Sequence, residues 1–313
     1  MPTIRQLVFA AVAFLSAATA QATVLTQSGF TDAEVALLPT GYPSSFGNIA
    51  VDVSGNRYVA GSRNRWVYKV TPSGDVSRFA EFGDGTLLGL DIIGSDLYIG
   101  VGESIRRVAL SGGPVTVVAG TPGEAMGLTH SQDGKNLFIS TTKGLFQYNV
   151  ATDAMSTLSS GEYSAIVTGL DGTIYATDYI NGKIVTYNAG ALTDFRTGLA
   201  EVAGLAVDPV SGDLFAAIEA TGVITRVSAD GSTAMDFATD VVFDLGHYPS
   251  ALAFDPRGGS LYYSQLAEDG VDLMLHQISG FPLLDSKEVP EPASLSLLAL
   301  GLAAGAFARR RKG

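Results

Sequence analysis

A chain of 313 residues with 46% hydrophobic side chains carries enough apolar material for a sizeable core, which excludes a disordered chain. Its formal net charge of −12 sets it against nucleic acid and anionic lipid as partners. It has no cysteine, so no disulfide can staple it, and its 37 glycines, about 12% of the chain where about 7% is usual, imply many tight turns.

The chain opens with Met1, the single basic Arg5, an apolar run from Leu7 to Leu15 and small residues ending at Ala20 or Ala22. This is the three-part pattern of a secretory signal peptide over residues 1–22, with cleavage after Ala20 or Ala22. The apolar run has no polar face, which argues against an amphipathic helix of the folded body. The body therefore begins near Thr23. Without the signal and the last 25 residues it keeps 14 basic and 30 acidic side chains, a net charge of −16.

The first strand pattern of the body, Glu34 to Leu38, belongs to no repeat of its own. From Asn48 onward one line recurs six times: an apolar strand, a Gly-containing turn, and a second strand with a central aromatic. The aligned starts are Asn48, Gly89, Gly127, Ala165, Gly204 and Ala251, and the aromatics are Tyr58, Tyr98, Phe138, Tyr175, Phe215 and Tyr262. Successive aromatics are 40, 40, 37, 40 and 47 residues apart. A period of about forty residues with four strands per repeat is that of a β-propeller blade, so residues 23–280 are read as an all-β, six-bladed propeller.

Within a copy a third strand comes next, such as Trp66 to Val70 or Val223 to Val227, and then a more polar fourth, such as Asp75 to Ala80 or Pro114 to Val118. Asn181-Gly182 signals a hairpin between second and third strands, with both residues at positive φ. The sixth copy ends after its third strand, Leu273 to Ile278. Its missing fourth strand is supplied by Glu34 to Leu38, which precedes Asn48 by the same 14 residues that separate Asp75 from Gly89. The N-terminal strand is therefore expected to close the ring and remove its open sheet edges.

The innermost strands line the central channel, where propellers commonly bind. At the channel mouth the residues before the aligned starts are Gly47, Leu88, Met126, Ser164, Ala203 and Ser250, and among the starts Asn48 alone is a good metal ligand. Asp52, Asp208 and Asp255 each enter a turn, where carboxylates cap backbone amides. Asp91 and His130 break the apolar pattern of the inner strands; they lie in consecutive blades on opposite faces, and a buried carboxylate needs a partner, so they are expected to meet. Channel candidates are thus Asn48, Asp91 and His130. Arg63, Arg65 and Trp66, between two strands of the first blade, are candidates for a rim that touches a sugar or an acidic partner. His247 and His276 have no neighbouring ligand residues in sequence, and no Gly-x-Ser-x-Gly, His-Glu-x-x-His or P-loop pattern occurs. No catalytic residue, metal or cofactor is assigned.

After a linker at 281–288 come Val289, Pro290, Glu291 and Pro292, an uncharged run from Ala293 to Ala308, and the basic cluster Arg309, Arg310, Arg311 and Lys312. As a helix the 16-residue run reaches about 24 Å against an apolar bilayer core of about 30 Å, a marginal span. Snorkelling arginines and local thinning can make up the difference, and the basic cluster would hold the tail on the cytoplasmic side with the body outside.

This tail, residues 289–313, resembles the PEP-CTERM sorting signal. The resemblance implies an exosortase-type protease as partner, processing near Pro292, transient anchoring in the inner membrane with the body in the periplasm, and a final place at the cell surface or in extracellular polysaccharide. The line from Ile174 to Ile184 resembles an NHL-type repeat, and residues 30–280 as a whole resemble NHL and gluconolactonase-like propellers. A lactonase of that kind would hold a divalent cation at the channel mouth, where the family commonly has Asn before a Gly-Leu pair. Here Met126 precedes Gly127 and Leu128. The expected function is therefore a non-enzymatic interaction module that binds envelope proteins or extracellular polysaccharide, and the alternative is a metal-dependent, lactonase-like hydrolase.

Overall fold

Each sequence repeat folds as one antiparallel sheet in the computed structural model, which describes residues 23–41, 48–188, 190–243 and 251–284. The signal peptide, the mouth residues Gly47 and Ser250, His247 and the sorting tail lie outside the described residues. The first blade shows the construction. Its strands are Ile49–Val51, Arg57–Gly61, Trp66–Val70 and Val76–Glu81, paired in that order. Asp52 Oδ1 accepts the amides of Ser54 and Asn56, both at 2.9 Å, and Gly55 supplies the positive φ of 80° that the first turn needs.

Alternation along each strand sends side chains to both faces of a blade, and both faces are covered by neighbouring blades. Tyr58 and Ala60 pack with Leu90, Leu97 and Ile99 of the second blade, while Val59, Tyr68 and Val70 pack with Tyr262, Leu273 and Leu275 of the sixth. The core is accordingly six apolar clusters, one at each seam between adjacent blades, and the seam between the sixth and first blades completes the ring.

Closure occurs as the strand spacing predicts, with a longer strand. Thr31–Leu38 pairs antiparallel with Leu273–Leu283, with Glu34 opposite His276 and Leu38 opposite Leu273. The sixth blade thus has its fourth strand from the opposite end of the chain. Its last strand continues to Leu283, three residues into the expected linker, because Phe281 packs among Phe30, Phe237 and Phe254 and Leu283 pairs with Gly258. A second stitch was not expected: Val24–Leu25 adds a fifth strand to the fifth blade, opposite Thr239 and Ala238. The N-terminal segment therefore ties the last two blades.

Local details depart from the sequence reading in two places. The expected fourth strands begin one or two residues late, at Val76 and Thr116, because Asp75 belongs to the preceding turn and accepts a hydrogen bond from Ser73 Oγ at 2.7 Å. Of Asn181 and Gly182 only Gly182 takes positive φ, at 61°; Asn181 instead binds the Asp178 carboxylate through its backbone N at 3.1 Å and Nδ2 at 2.9 Å. The expected hairpin forms, with Asp178 holding a four-residue turn between its strands.

Candidate functional site

All innermost strands run in one direction, so the ring has an entry end, where they begin, and an exit end, where they finish. At the entry end adjacent inner strands approach closely for a definable reason. A Cβ on Gly89 would stand 2.9 Å from the backbone of Gly127, and one on Gly127 would stand 3.1 Å from the backbone of Ser164 and Ile166. The small residues at the aligned starts are what lets adjacent inner strands approach.

Asn48 sits on this rim, with its two nitrogen donors on main-chain carbonyls. Its backbone N donates to the Leu88 carbonyl at 3.2 Å and its Nδ2 to the Met126 carbonyl at 3.4 Å, reaching from the first blade to the third. Among the described residues no group of three or more His, Asp or Glu side chains is placed to hold a metal ion.

The three turn aspartates cap turns. Besides Asp52, Asp208 Oδ1 accepts the Val210 amide at 2.9 Å, and Asp255 Oδ1 accepts the Arg257 amide at 2.9 Å. Asp91 and His130 meet across the seam between the second and third blades, with His130 Nδ1 and Asp91 Oδ2 2.8 Å apart. The Asp91 charge, opposed by burial and reinforced by this hydrogen bond, raises the His130 pKa above its usual value. The pair lies toward the exit end, away from Asn48, so the three channel candidates do not form one site.

The rim candidates of the first blade stand on and beside the turn between its second and third strands. Arg65, held at φ 67°, forms an ion pair with Asp84 at 3.0 Å in the open. Trp66 packs against the core, with the Arg78 guanidinium 5.1 Å from its ring centre, and Arg63 is exposed. Trp66 is thus half-buried against its own chain.

The structure assembles a constellation that sequence reasoning missed, at the entry end between the fourth and fifth blades. A groove of about 530 Å³ is lined by Tyr179, Ile180 and Asn181 on one side and by Leu199, Ala200 and Glu201 on the other. The Tyr179 phenol hydrogen-bonds to both Glu201 and Glu219; burial first, and then the two carboxylate charges, hold its pKa far above the ordinary tyrosine range. Glu219 is buried at 4% exposure, and Glu201 is held in the left-handed region at φ 57°. Ile180, 64% exposed, forms an apolar lip. The groove combines acceptor oxygens with an apolar edge, which suits a hydroxylated or cationic ligand. Tyr179 lies inside a repeat line recognisable in sequence, but Glu201 and Glu219 arrive from the next repeat.

A second histidine centre was also missed. His276 is buried, its Nδ1 3.0 Å from Asp32 Oδ2 and its Nε2 2.9 Å from the Gln265 amide, with the Tyr263 ring stacked on it at 4.8 Å. Tyr263 Oη donates toward Thr23 Oγ1 at 2.8 Å and Asp32 Oδ1 at 3.1 Å. Asp32 and Thr23 come from the closing segment, so no local sequence pattern announces the pair.

The comparisons with known proteins agree with this architecture. Residues 288–312 match the PEP-CTERM protein-sorting motif. The chain is similar in fold to a candidate gluconolactonase, at 14% identity and a TM-score of 0.63 over 83% of this chain and 96% of that one. It is similar to the calcium-binding protein regucalcin from Agrobacterium tumefaciens, at 18% identity and a TM-score of 0.59 over 81% and 97%. It is also similar to a catalytically inactive variant of virginiamycin B lyase from Staphylococcus aureus with quinupristin, at 13% identity and a TM-score of 0.56 over 80% and 99%. At these identities the likeness is one of fold. The chain is therefore a six-bladed β-propeller with a C-terminal PEP-CTERM motif, and such sorting implies an exported protein.

Proposed function

We propose that this protein is exported, sorted through its tail by an exosortase-type protease, and held at or released from the cell envelope as a non-enzymatic binding propeller. The observation that carries the reading is the sorting motif at 288–312, directly downstream of a ring closed by its own N-terminal strand. The binding surface is the entry end, with the groove lined by Tyr179, Ile180 and Glu201, and the partners are extracellular polysaccharide or envelope proteins. Met126 stands where the lactonase resemblance asks for Asn before the Gly127-Leu128 pair, which favours binding over hydrolysis.

Fractionation of cells producing the full chain tests the sorting. The body is expected in the envelope or extracellular fraction with mass loss at both termini, and replacing Val289, Pro290, Glu291 and Pro292 with alanine is expected to leave the C-terminal mass uncut. An uncleaved wild-type chain in the cytosol would overturn the proposal. Lactone hydrolysis by the purified protein with added calcium, lost in Asn48→Ala, would overturn its non-enzymatic part.

A further inference from the structure

The chain leaves the ring at a definite place. Leu273–Leu283 is the third strand of the sixth blade and runs from the entry end to the exit end, where Leu283 stands opposite Gly258. The Leu284 amide then donates to the Arg257 carbonyl, in the turn that follows the innermost strand, at 2.8 Å. Strand direction and hydrogen bond together fix the point of departure on the exit face. The sorting motif at 288–312 is therefore tethered to that face.

The tether is short. Eight residues, 285–292, separate Leu284 from the uncharged run that begins at Ala293, and fully extended they reach at most about 29 Å. Part of that length, about 5–7 Å, is taken up in crossing one headgroup layer. Turning the ring over, with its entry face on the bilayer, would require the linker to run back along the whole sixth blade. The eleven-residue strand Leu273–Leu283 alone rises about 36 Å, which is more than the linker can span.

The exit face does not have the chemistry of a lipid-binding surface. Its turns carry Asp75, Asp153, Asp171 and Asp230, and their two cations, Lys135 and Arg257, are paired with Asp133 and Asp255 at 3.0 and 2.6 Å. The exposed Val53 and Leu170 stand on turns of the first and fourth blades, on opposite sides of the ring, and form no continuous apolar patch. Anionic headgroups repel such a surface.

We propose that, while the tail is uncut, the exit face is turned toward the bilayer and held off it by the linker, with the entry face and its groove directed away from the membrane. This orientation rests on the tail-mediated sorting proposed above and adds which face partners meet first. Cutting near Pro292 then frees the body without breaking any contact between the ring and lipid.

The chain has no cysteine, so single cysteines can carry a dye without background labelling. S54C and L170C place a donor dye on exit turns of the first and fourth blades, and R63C and I180C place it on entry turns of the same blades; all four positions are exposed. The uncut chain is reconstituted in phosphatidylcholine vesicles that contain a headgroup-labelled acceptor. Energy transfer is expected to put each exit dye about 15 Å nearer the bilayer than the entry dye of the same blade, the rise of the five-residue strand between them. Adding phosphatidylglycerol is expected to bring neither exit dye closer. Equal distances at the two ends of either blade, or an entry dye nearer the bilayer, would overturn the orientation while leaving the anchoring intact. Exit dyes drawn inward by phosphatidylglycerol would overturn the stand-off. A chain that does not float with the vesicles would overturn the anchoring, and the orientation with it.

Discussion

Two Asp–His pairs hold this ring together, and they differ in almost everything except chemistry. Asp32 and His276 lie inside the last blade with side-chain exposures of 15% and 5%, joined to Tyr263 and Gln265. Asp91 and His130 bridge two blades with exposures of 17% and 41%, and water reaches the imidazole. The same two residue types thus form a buried clasp across the chain ends and a partly solvated strut across a seam. Burial sets the difference: a partner removed from a dry site leaves an unsatisfied group, whereas one removed from a wet site is replaced by solvent.

The severest way to break the clasp is to remove the strand that carries Asp32. A chain beginning after Leu38 would leave the Leu273–Leu283 strand with an open edge and uncover the cluster that contains Leu38, Tyr68 and Leu273. It is expected to lose cooperative melting in calorimetry, and a single transition at the wild-type temperature would show that the ring does not need its N-terminal strand.

Next in size is His276→Ala. It removes a buried ring and its hydrogen bonds to Asp32 and Gln265, so urea denaturation is expected to register a loss of about 3 kcal/mol. A loss under about 1 kcal/mol would put the clasp on the footing of an exposed pair.

Gly89→Ala probes the seam rather than either pair. The added Cβ would meet the Gly127 backbone at 2.9 Å, where neither strand can yield without disturbing the ring, so a loss of about 1–3 kcal/mol is expected in the same assay. A neutral result would mean that the inner strands can separate.

The strut should respond least. Asp91→Asn is expected to cost below about 1 kcal/mol, and its effect should depend on pH. Because Asp91 raises the His130 pKa, the protonated pair contributes fully below the ordinary histidine pKa of about 6.5, and this contribution fades as pH rises through the raised value. The stability difference between wild type and variant should therefore shrink as pH rises, and the His130 proton resonances should titrate at lower pH in the variant. An unchanged His130 titration would mean that the two groups are not coupled in solution.

How much of the molecule is legible from its sequence depends on the range of the interaction. Asp91 can be matched with His130 because the blade period places them at nearly the same point of successive repeats, and strand alternation tells which faces meet. Tyr179 with Glu201 and Glu219 escapes that logic, since their meeting depends on the course of the connection between blades. Arg57 escapes it as well. It reads as an ordinary residue next to a turn until the sixth blade is folded against the first, which sets its guanidinium carbon 5.0 Å from the centre of the Tyr262 ring.

The amino-acid sequence by itself determined the repeat, the number of blades, the turn aspartates and the closing strand, because each comes from local alternation or from spacing that a periodic chain repeats. Tertiary structure alone decided the groove between the fourth and fifth blades, the Asp32–His276 clasp and the Val24–Leu25 stitch. Clasp and stitch join partners up to 244 residues apart, and only closure of the ring brings them within hydrogen-bond reach.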